Sequence, residues 1–497
     1  MSNSTTAAQS ASSYDDIGLD ALERRLQDDL QCLCYPSVNW VADVERDTPA
    51  DSDVLIVGGG MCGLLVWFAL RTAGIHNVRI IDQSPAGSEG PWVNYARMET
   101  LRSPKQLTGP AYGMASLTFQ AWYRARFGAA QWDELDKIPR PQWMEYLRWY
   151  RQALQVPVEN NVRLAHVESR GELLALTLEG AEASAITVRK LIYATGRDGI
   201  AKANIPDFVS DVDKSLWAHS SEDIDFTSLR GKRVAVVGVG ASAVDNAAEA
   251  LEAGASEVRH LIRRTEMPTI NKMMGIGSYG FVAGYAELSD EWRWRFMQYS
   301  FATQTPSPRG STLRVSRHEN AWFHFGKSVS AVRESSGGLL IDFADGSQLE
   351  TDFLILGTGF STDPLARREL GDAAANIRLW EDAYTPPADE ENADLGRFPY
   401  LAEDFSFREK QAGRTPWLKH VHCFNYGATA SLGKVSGDIP GISEGARWLA
   451  KSLSARLYEE DIAIHWQHML DYSKPELQGD EWTPSELPES SMTRKVI

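Results

Sequence analysis

The chain has 497 residues, of which 43% are hydrophobic and 24% are charged. These proportions are ordinary for a globular protein, and the length predicts more than one domain. The formal net charge of −17 argues against a nucleic-acid partner and against binding to an anionic membrane surface, because both need a basic face.

The N-terminal region, residues 1–50, is predicted to hold a disordered stretch and one helix. Residues 1–13 are polar, uncharged and low in complexity, and they lack the basic and apolar segments of a secretory signal. Residues 19–33 carry leucines at helical spacing, which predicts an amphipathic helix on the main body. No run reaches the ~18 apolar residues of a membrane helix, so we expect a cytoplasmic protein.

A glycine-rich turn follows the apolar strand-like run 53–57 and opens a helical stretch. Gly58 allows the tight turn after the strand, and Gly60 lets the backbone approach a pyrophosphate. Gly63 lets the helix pack closely against the strand. The pyrophosphate then lies at the helix N-terminus, where free N–H groups favour an anion. Cys62 lies inside this turn, and we expect it to be buried.

A second strand, residues 77–81, ends in Asp82. This is about where such folds place a carboxylate for the ribose hydroxyls. An acid rejects a 2′-phosphate, so the first turn predicts FAD or NAD and not NADP. A glycine turn without a ligand is the alternative, but strand, glycines, helix and acid all agree on a nucleotide.

A second fingerprint follows the strand-like run 232–237, in the order Gly238-Val239-Gly240-Ala241-Ser242-Ala243. Ala243 stands at the third glycine position, which we expect to leave more room between helix and strand. The next strand, residues 257–262, ends in Arg263 and Arg264 in place of an acid. Arginine is suited to phosphate, so this turn favours NADPH over NADH. A solvated pair of loop charges is the alternative.

Two strands that end in a Thr-Gly turn mark the passages between domains. Tyr193-Ala194-Thr195-Gly196 is typical of an exit from an FAD domain, and residues 353–360 are expected to return the chain to it. A hairpin with an Asp345-Gly346 turn precedes that return. The fold class is therefore α/β, with two Rossmann-like domains and the NADPH domain inserted into a discontinuous FAD domain. The expected parts are residues 51–204 and 332–470 for FAD, 205–331 for NADPH, and a tail at 471–497.

The order of these motifs resembles the class B flavoprotein monooxygenases, which include flavin-containing monooxygenases, Baeyer–Villiger enzymes and amine N-hydroxylases. The resemblance covers about residues 53–456. One departure concerns the class signature Phe-x-Gly-x-x-x-His, because Phe208 and His219 are too far apart and the glycine is missing. His219 is therefore either a linker residue that packs or a residue on the NADPH side.

A segment from Met98 to Gly109 is similar to the methionine-to-lysine stretch of microbial amine N-hydroxylases. Together with residues 90–92 and 138–140, it is most similar to a subset comprising FAD-dependent urate hydroxylases and aspartate N-monooxygenases. The resemblance implies that this stretch lies along the flavin and that Lys105 reaches the substrate or the nicotinamide. Asp438, in the loop that completes the flavin site in this family, either caps a helix or meets the flavin.

The activity implied by the resemblance is an NADPH-dependent FAD monooxygenase that uses O2 through a flavin C4a-hydroperoxide. Its substrate is a small polar nitrogen-containing molecule, either an amine oxidised on nitrogen or a urate-like purine hydroxylated on carbon. A flavin-dependent NADPH oxidoreductase without oxygen insertion and a redox-sensing nucleotide-binding protein are the alternatives. A thioredoxin-reductase type needs a redox-active cysteine pair, and the four cysteines contain no C-x-x-C.

The predicted site needs no catalytic group beyond the flavin, and Arg102 and Lys105 are its substrate-side candidates. For both, surface charge or local packing is the equal alternative. No Cys or His spacing indicates a metal. An acidic, tryptophan-rich chain is compatible with a homodimer. The candidate cofactor-binding residues are Gly58, Gly60, Cys62, Gly63, Asp82, Gln83, Trp92, Met98, Arg102, Thr195, Gly196, Gly238, Gly240, Ser242, Ala243, Arg263, Arg264 and Asp438.

Overall fold

The computed structural model describes residues 18–42, 49–197 and 199–486. Its strands are β1 (Ser52–Val57), β2 (Val78–Asp82), β3 (Val158–Asn160), β4 (Arg163–Arg170), β5 (Leu173–Glu179), β6 (Ala185–Tyr193), β7 (Ala201–Ala203), β8 (Trp217–His219), β9 (Arg233–Val237), β10 (Glu257–Ile262), β11 (Ala321–Phe325), β12 (Val329–Ser335), β13 (Gly338–Phe343), β14 (Gln348–Thr351), β15 (Phe353–Leu356), β16 (Phe360–Thr362) and β17 (Val421–Cys423).

The helices lie mostly between these strands, and several short ones follow the last strand of the second sheet. They are α1 (Gly18–Cys32), α2 (Met61–Thr72), α3 (Phe119–Phe127), α4 (Ala129–Glu134), α5 (Arg140–Ala153), α6 (Ala241–Glu252), α7 (Tyr279–Gly284), α8 (Asp290–Thr303), α9 (Arg309–Ser316), α10 (Trp380–Ala383), α11 (Ala393–Gly396), α12 (Thr429–Leu432), α13 (Ile442–Glu460) and α14 (Ile462–Asp471). Within the described ranges, none of them is long and apolar enough to cross a membrane.

The first sheet has the order β3-β2-β1-β6-β5-β4, with β17 also beside β6. Strands β3, β2, β1, β6 and β17 are parallel, whereas β4 and β5 join as antiparallel strands. The apolar runs of β1 and α2 are almost wholly buried, as a parallel sheet covered on both faces requires. The predicted helix α1 is present, and it buries Leu22, Leu26 and Leu30, whereas Leu33 lies just beyond its end and is exposed.

The second sheet has the order β11-β10-β9-β15-β8, and all its neighbours are parallel. Helix α6 packs Ala243, Val244, Ala247 and Ala248 into its core. A mixed sheet with parallel central strands and a second, wholly parallel sheet, each with a glycine turn leading into a helix, confirm the predicted α/β class with two Rossmann-like units.

The second unit extends further along the chain than the expected boundary at residue 331. Strand β15 lies between β9 and β8, with Leu354 opposite Ala235, and the β12-β13-β14 meander contributes to the same apolar cluster. The sequence of an apolar strand that ends in Gly-Thr-Gly does not show which sheet the strand joins. The boundary predicted at residue 331 therefore falls before strands that belong to the second unit. The connection between the units is a two-stranded ribbon in which β16 pairs antiparallel with β7.

Helices α7 and α8 belong to the inserted segment of the chain but pack against the part that follows it. Tyr285, Trp294 and Met297 share one apolar cluster with Trp380 and Phe398. This packing brings the C-terminal end of α8 to the second glycine turn. The expected C-terminal tail follows α14, and its residues 472–486 are exposed and irregular. The expected disorder of residues 1–13 and the last part of the tail lie outside the described residues.

Candidate active site

The first glycine turn is required by packing at two of its positions. Gly58 has a φ of +106°, and a Cβ there would lie 2.6 Å from the carbonyl oxygen of Ala194. A Cβ on Gly63 would lie 1.8 Å from the carbonyl oxygen of Gly58. Both contacts involve backbone atoms, so β1, β6 and α2 approach this closely only because the two residues are glycine.

Gly60 differs from these two glycines because the packing around it leaves room for a side chain. A Cβ there would meet nothing closer than the backbone nitrogen of Gly90, at 3.8 Å, and its φ of −77° suits any residue. It begins the 12-residue helix α2 without a side-chain cap. The open space at a helix N-terminus is the cradle that a pyrophosphate fills, so the residues present fit FAD.

A cavity of about 340 Å³ lies beside this turn, with Gly59, Gly60 and Gly87 in its wall. Glu89 and Arg151 also line it, and neither was predicted from the sequence. Buried Glu89 accepts hydrogen bonds from Arg151 Nη1 and from Asn160 Nδ2, which lies behind the wall, both at 2.7 Å. Glu89 lies in a loop, Arg151 in α5 and Asn160 in β3, so these contacts join distant parts of the chain and cannot be predicted from a local sequence pattern.

Asp82 lies at the C-terminal end of β2 as predicted, and the turn holds its carboxylate. Its Oδ2 accepts from the backbone N–H of Gly59 at 2.8 Å, and its Oδ1 accepts from Ser84 N–H at 2.7 Å. Asp82 is buried, whereas Gln83 beside it is exposed. The acid is thus held at the edge of the turn by backbone donors.

Trp92 and Met98 are joined through Arg140 of α5. The Arg140 guanidinium donates from Nη1 to the Trp92 carbonyl and from Nε to the Met98 carbonyl, the latter at 2.9 Å. The Trp92 ring stands edge-on to Trp143, with 6.1 Å between centroids. Residues 92–98 therefore follow the N-terminal end of α5 as one ordered segment.

The Thr195-Gly196 turn meets a loop from the far end of the chain. Thr195 Oγ1 accepts from Asn425 Nδ2 at 3.2 Å, and the Gly196 carbonyl accepts from Tyr426 N–H at 3.1 Å. Ser436 Oγ donates to the Asn425 carbonyl at 2.7 Å. Asn425 and Ser436 were not among the predicted site residues. Asn425 contacts Thr195, which lies 230 residues earlier in the chain, and Ser436 contacts Asn425, which lies 11 residues earlier, so neither contact belongs to a local motif.

Cys62 and Asp438 lie next to that loop. Cys62 is buried as expected, its Sγ lies 3.6 Å from the Ser436 carbonyl, and burial raises its pKa to about 12. Asp438 precedes a short helical turn but makes no side-chain cap, and its Oδ2 lies 3.5 Å from Lys434 Nζ. The capping interpretation of Asp438 is therefore wrong, and only its proximity to a flavin stays as a prediction.

The second glycine turn repeats the first with one exchange. Gly238 has a φ of +110°, and its Cβ would lie 2.5 Å from the Gly357 carbonyl oxygen. A Cβ on Gly357 would lie 2.3 Å from the Cβ of Ala243, so the room for Ala243 comes from Gly357. Gly240 again faces open space, with Gln304 Nε2 as the nearest atom at 3.7 Å. Ser242 Oγ donates to Ser220 Oγ at 3.0 Å.

The two arginines after β10 differ in their surroundings. Arg264 donates from Nε to Gln304 Oε1 at 3.0 Å and from Nη2 to the Ala302 carbonyl at 2.8 Å. Arg263 is exposed. The predicted phosphate-binding pair is thus divided into one arginine held by protein acceptors and one that faces solvent.

His219 is the last residue of β8 and packs against Gly359 and Phe360, where the chain passes from β15 to β16. Its ring nitrogens lie 2.9 Å from the Gly359 carbonyl and 2.7 Å from Ser221 Oγ, and its ring stands edge-on to Phe360. Burial lowers its pKa. These contacts agree with a packing role at the linker.

Arg102 reaches from the first unit to the second, whereas Lys105 does not. Arg102 Nη2 donates to the Pro306 carbonyl, and burial together with the nearby charge of Arg197 lowers its pKa. Lys105 Nζ donates to the carbonyls of Trp132 and Asp133 and lies 4.9 Å from the Trp132 ring centroid. The Lys105 ammonium is thus bound to the backbone of α4, and its predicted reach to the substrate or the nicotinamide stays a prediction.

An acid and an arginine in α6 and α9 were missed by the sequence analysis. Asp245 is buried, burial raises its pKa to about 6, and its Oδ1 has no hydrogen-bond partner. Arg314 is buried, pairs with Glu252 at 2.6 Å and donates to the Arg97 carbonyl at 3.0 Å. Neither belongs to a motif, and their burial where α6 packs against α9 is visible only in the structure.

Comparison with known proteins decides the family. The sequence profile described as pyridine nucleotide-disulphide oxidoreductase matches residues 55–275. An FAD-dependent urate hydroxylase of Xanthomonas campestris pv. campestris is 35% identical over 467 residues, which cover 94% of this chain and 98% of that protein. The chain belongs to the family of this flavoprotein hydroxylase.

Solved structures show the same fold for this family member at much lower identity. The ornithine N-hydroxylase of Kutzneria sp. 744, in a structure with reduced FAD, NADP+ and L-ornithine, is 18% identical with a TM-score of 0.63. The ornithine hydroxylase of Pseudomonas aeruginosa is 15% identical with a TM-score of 0.62. Each comparison covers 82% of this chain and 99% of the other.

The cysteines of this family member do not form the redox pair of a disulphide reductase. All four are free thiols. Cys62 and Cys423 are buried, and burial raises the pKa of each to about 12. Because the thiolate is the reactive form, these two thiols are unreactive near neutral pH. Cys32 and Cys34 lie exposed at the C-terminal end of α1.

Proposed function

We propose that this enzyme is an NADPH-dependent FAD monooxygenase that hydroxylates a small polar nitrogen-containing compound, with a urate-like purine as the first candidate. The observation that carries this proposal is the 35% identity across 98% of an FAD-dependent urate hydroxylase. Two glycine turns with an open second glycine support it, since each offers space for one dinucleotide. Hydroxylation of an amine nitrogen is the second candidate, favoured by the similarity of residues 98–109 to amine N-hydroxylases.

In this proposal FAD, when bound and reduced by NADPH, supplies the activation of O2. Gly60 and the N-terminus of α2 hold the FAD pyrophosphate, and Asp82 faces the ribose. Gly240 and α6 hold the nicotinamide dinucleotide, and Arg263 offers a planar donor to its 2′-phosphate. Arg102, at the contact between the two units, is the first substrate-side candidate because its cation attracts an anionic substrate.

The test is NADPH oxidation by the purified FAD-loaded protein in air, with hydrogen peroxide and product quantified. The compounds are urate, aspartate, ornithine and a panel of simple amines. Urate-stimulated oxidation with little peroxide and a hydroxylated product establishes the first candidate. Coupled oxidation with an amine alone establishes the second.

The variant Gly240→Asp serves as the negative control for this assay. Its Cβ enters open space, so the fold tolerates it, but its carboxylate occupies the place of the pyrophosphate. We expect normal FAD content and no NADPH oxidation. NADPH oxidation that yields only peroxide with every compound overturns oxygen insertion and favours an oxidoreductase. No oxidation by the FAD-loaded wild type overturns the enzyme and favours a redox sensor.

We further propose that the enzyme is a homodimer through the face formed by α13 and α14. Tyr458, Ile462, Trp466, Met469 and Leu470 follow one another at helical spacing, and each is about half or more exposed. Together they expose roughly 600 Å², close to the ~800 Å² that each partner of a stable dimer buries. The strongly acidic chain disfavours an anionic membrane as the occupant.

Light scattering after size exclusion tests this dimer. We expect a dimer for the wild type and a monomer for Trp466→Glu, with unchanged helix content. Tyr279→Glu is the matched control, because Tyr279 is also an exposed aromatic residue, at 71% against 56% for Trp466, but lies on α7. A wild-type monomer overturns the dimer, and binding to phosphatidylserine vesicles that Trp466→Glu abolishes identifies the face as a membrane-binding one instead.

A further inference from the structure

A polar side chain faces the second glycine turn from outside the βαβ unit that forms it. Gln304 directly follows α8 as its C-terminal cap, and its Nε2 would lie 3.7 Å from a Cβ on Gly240. Among the described residues, no other atom comes within 4 Å of that position apart from the chain neighbours of Gly240 and the backbone of α6. The space beside Gly240 is therefore bounded by the N-terminus of α6 on one side and by an amide on the other.

The orientation of that amide follows from its second contact. Arg264 Nε donates to Gln304 Oε1 at 3.0 Å, and Arg264 Nη2 donates to the Ala302 carbonyl at 2.8 Å. A guanidinium only donates, so the oxygen of the Gln304 amide must face Arg264. The two N–H groups of the amide are then directed towards Gly240, where an anion is expected.

The backbone conformation of Gln304 supports a ligand-binding role for its side chain. Gln304 has a φ of +55° and a ψ of 130°, a conformation for which glycine is the ordinary residue. Its N–H donates to the Ser300 carbonyl at 3.2 Å, so the conformation is held by the end of α8. A glutamine at such a position is strained, and strained residues that keep a side chain concentrate at ligand sites.

We infer that the Gln304 amide donates to the pyrophosphate of the nicotinamide dinucleotide, and that Arg264 is the positioning residue that orients this amide. The inference rests on the proposed function, since it assumes a dinucleotide at the second turn. The pyrophosphate lies between the N–H groups at the start of α6 and the amide of Gln304. Because NADPH and NADH share the pyrophosphate, Gln304 contributes to both, whereas Arg263 contributes only to the 2′-phosphate of NADPH.

Equilibrium titration of the FAD-loaded enzyme with NADP+, NAD+ and adenosine 2′-monophosphate tests this inference without turnover. The variant Gln304→Glu keeps shape and places an anion against the pyrophosphate, so we expect the Kd of NADP+ and of NAD+ to rise by about tenfold or more. The Kd of adenosine 2′-monophosphate, which lacks a pyrophosphate, stays within about twofold. Gln31→Glu on α1 is the matched control, because it makes the same chemical change at an exposed position.

Two more variants separate the side chain from the backbone. Gln304→Gly relieves the strained conformation, so it raises the melting temperature, but it deletes the amide and weakens NADP+ and NAD+ equally. Arg264→Met frees the amide and weakens both dinucleotides by a smaller factor than Gln304→Glu. Wild-type affinity for both dinucleotides in folded Gln304→Glu and Gln304→Gly overturns the inference alone. Absence of NADP+ and NAD+ binding to the wild type overturns the proposed function instead.

Discussion

Gly357 and Ala243 occupy facing positions whose side-chain sizes are the reverse of those at the first glycine turn. At the first turn, Gly63 lies in the helix and Ala194 follows the facing strand, with its carbonyl 2.6 Å from the Cβ position of Gly58. At the second turn the helix carries Ala243, and the facing residue is Gly357, with its carbonyl 2.5 Å from the Cβ position of Gly238. Each contact between helix and strand needs one glycine, which the helix supplies at the first turn and the residue after the strand supplies at the second.

The first prediction is a coupling between these two residues. A Cβ on Gly357 lies 2.3 Å from Ala243 Cβ and 2.8 Å from the Val237 carbonyl, so Gly357→Ala should lower the free energy of unfolding by about 3 kcal/mol. Adding Ala243→Gly removes the contact with the Cβ but leaves the Cα of residue 243 at 2.7 Å and the Val237 carbonyl oxygen at 2.8 Å, so it should restore less than half of that loss. Denaturant unfolding of the two single variants and the double variant measures the coupling. Gly310→Ala, with no atom within 4 Å, is the control, and strictly additive effects contradict the prediction.

The second prediction separates folding from cofactor binding at the first turn. Gly63→Ala places a Cβ 1.8 Å from the Gly58 carbonyl and should prevent the native fold. Gly60→Ala meets only Gly90, at 3.8 Å, and should fold normally while losing about tenfold or more in FAD affinity. Circular dichroism of the apoprotein and FAD titration measure the two effects. Normal FAD affinity in Gly60→Ala would show that the open space at this glycine is not the pyrophosphate site.

The third prediction concerns the choice between NADPH and NADH. Arg263 is exposed, whereas Arg264 is held by Gln304 and Ala302. Arg263→Ala should raise the KM of NADPH by about tenfold or more and leave that of NADH unchanged, because a charge-assisted contact to phosphate is lost. Initial rates with both nucleotides measure it, with Arg317→Ala, also exposed, as control. An equal rise for NADH would assign Arg263 to a part that both nucleotides share.

The fourth prediction is a pH dependence of stability from Asp245. Burial is the largest cause of its raised pKa, about 6, and Ser311 and Arg314 oppose the rise. The native state therefore binds a proton that the unfolded state has released between about pH 4 and pH 6, and stability falls as pH rises through this window. Asp245→Asn should be more stable than the wild type by up to about 3 kcal/mol at pH 8, and by little near pH 4.

Denaturant unfolding across that pH range measures this difference. Asp211→Asn is the control, because Asp211 is exposed. Parallel pH profiles for the wild type and Asp245→Asn would mean that folding does not shift the pKa of the Asp245 carboxyl. A variant that is less stable at every pH would mean that the Ser311 and Arg314 contacts outweigh the cost of burial.

The fifth prediction concerns Lys105. Its ammonium is bound to the Trp132 and Asp133 carbonyls and lies over the Trp132 ring. Lys105→Met should cost about 1 kcal/mol of stability and leave the KM of NADPH and of substrate within about twofold. Melting temperature and initial rates measure it, with exposed Lys451→Met as control. A large rise in either KM would return Lys105 to the role that the amine N-hydroxylase resemblance implies.

Most of the fold could be predicted because its signals are local. The strands β1, β2, β9 and β10, their glycine turns and α1 each follow from a short run of apolar spacing or turn chemistry. The assignment of β15 could not, because a buried strand looks alike in either sheet. Likewise, the packing of α7 and α8 against Trp380 and Phe398 joins segments about a hundred residues apart.

The candidate site divides in the same way. Gly58, Gly60, Gly63, Gly238 and Gly240 could be predicted from the sequence, because a dinucleotide-binding turn consists of consecutive residues. The contact of Lys105 with α4, the hydrogen bond between Arg264 and Gln304, and the burial of Asp245 follow from the folded structure and from no pattern in the sequence. The direction and burial of a side chain depend on which distant segments pack against it. Those contacts leave no pattern in neighbouring residues, whereas the geometry of a turn does.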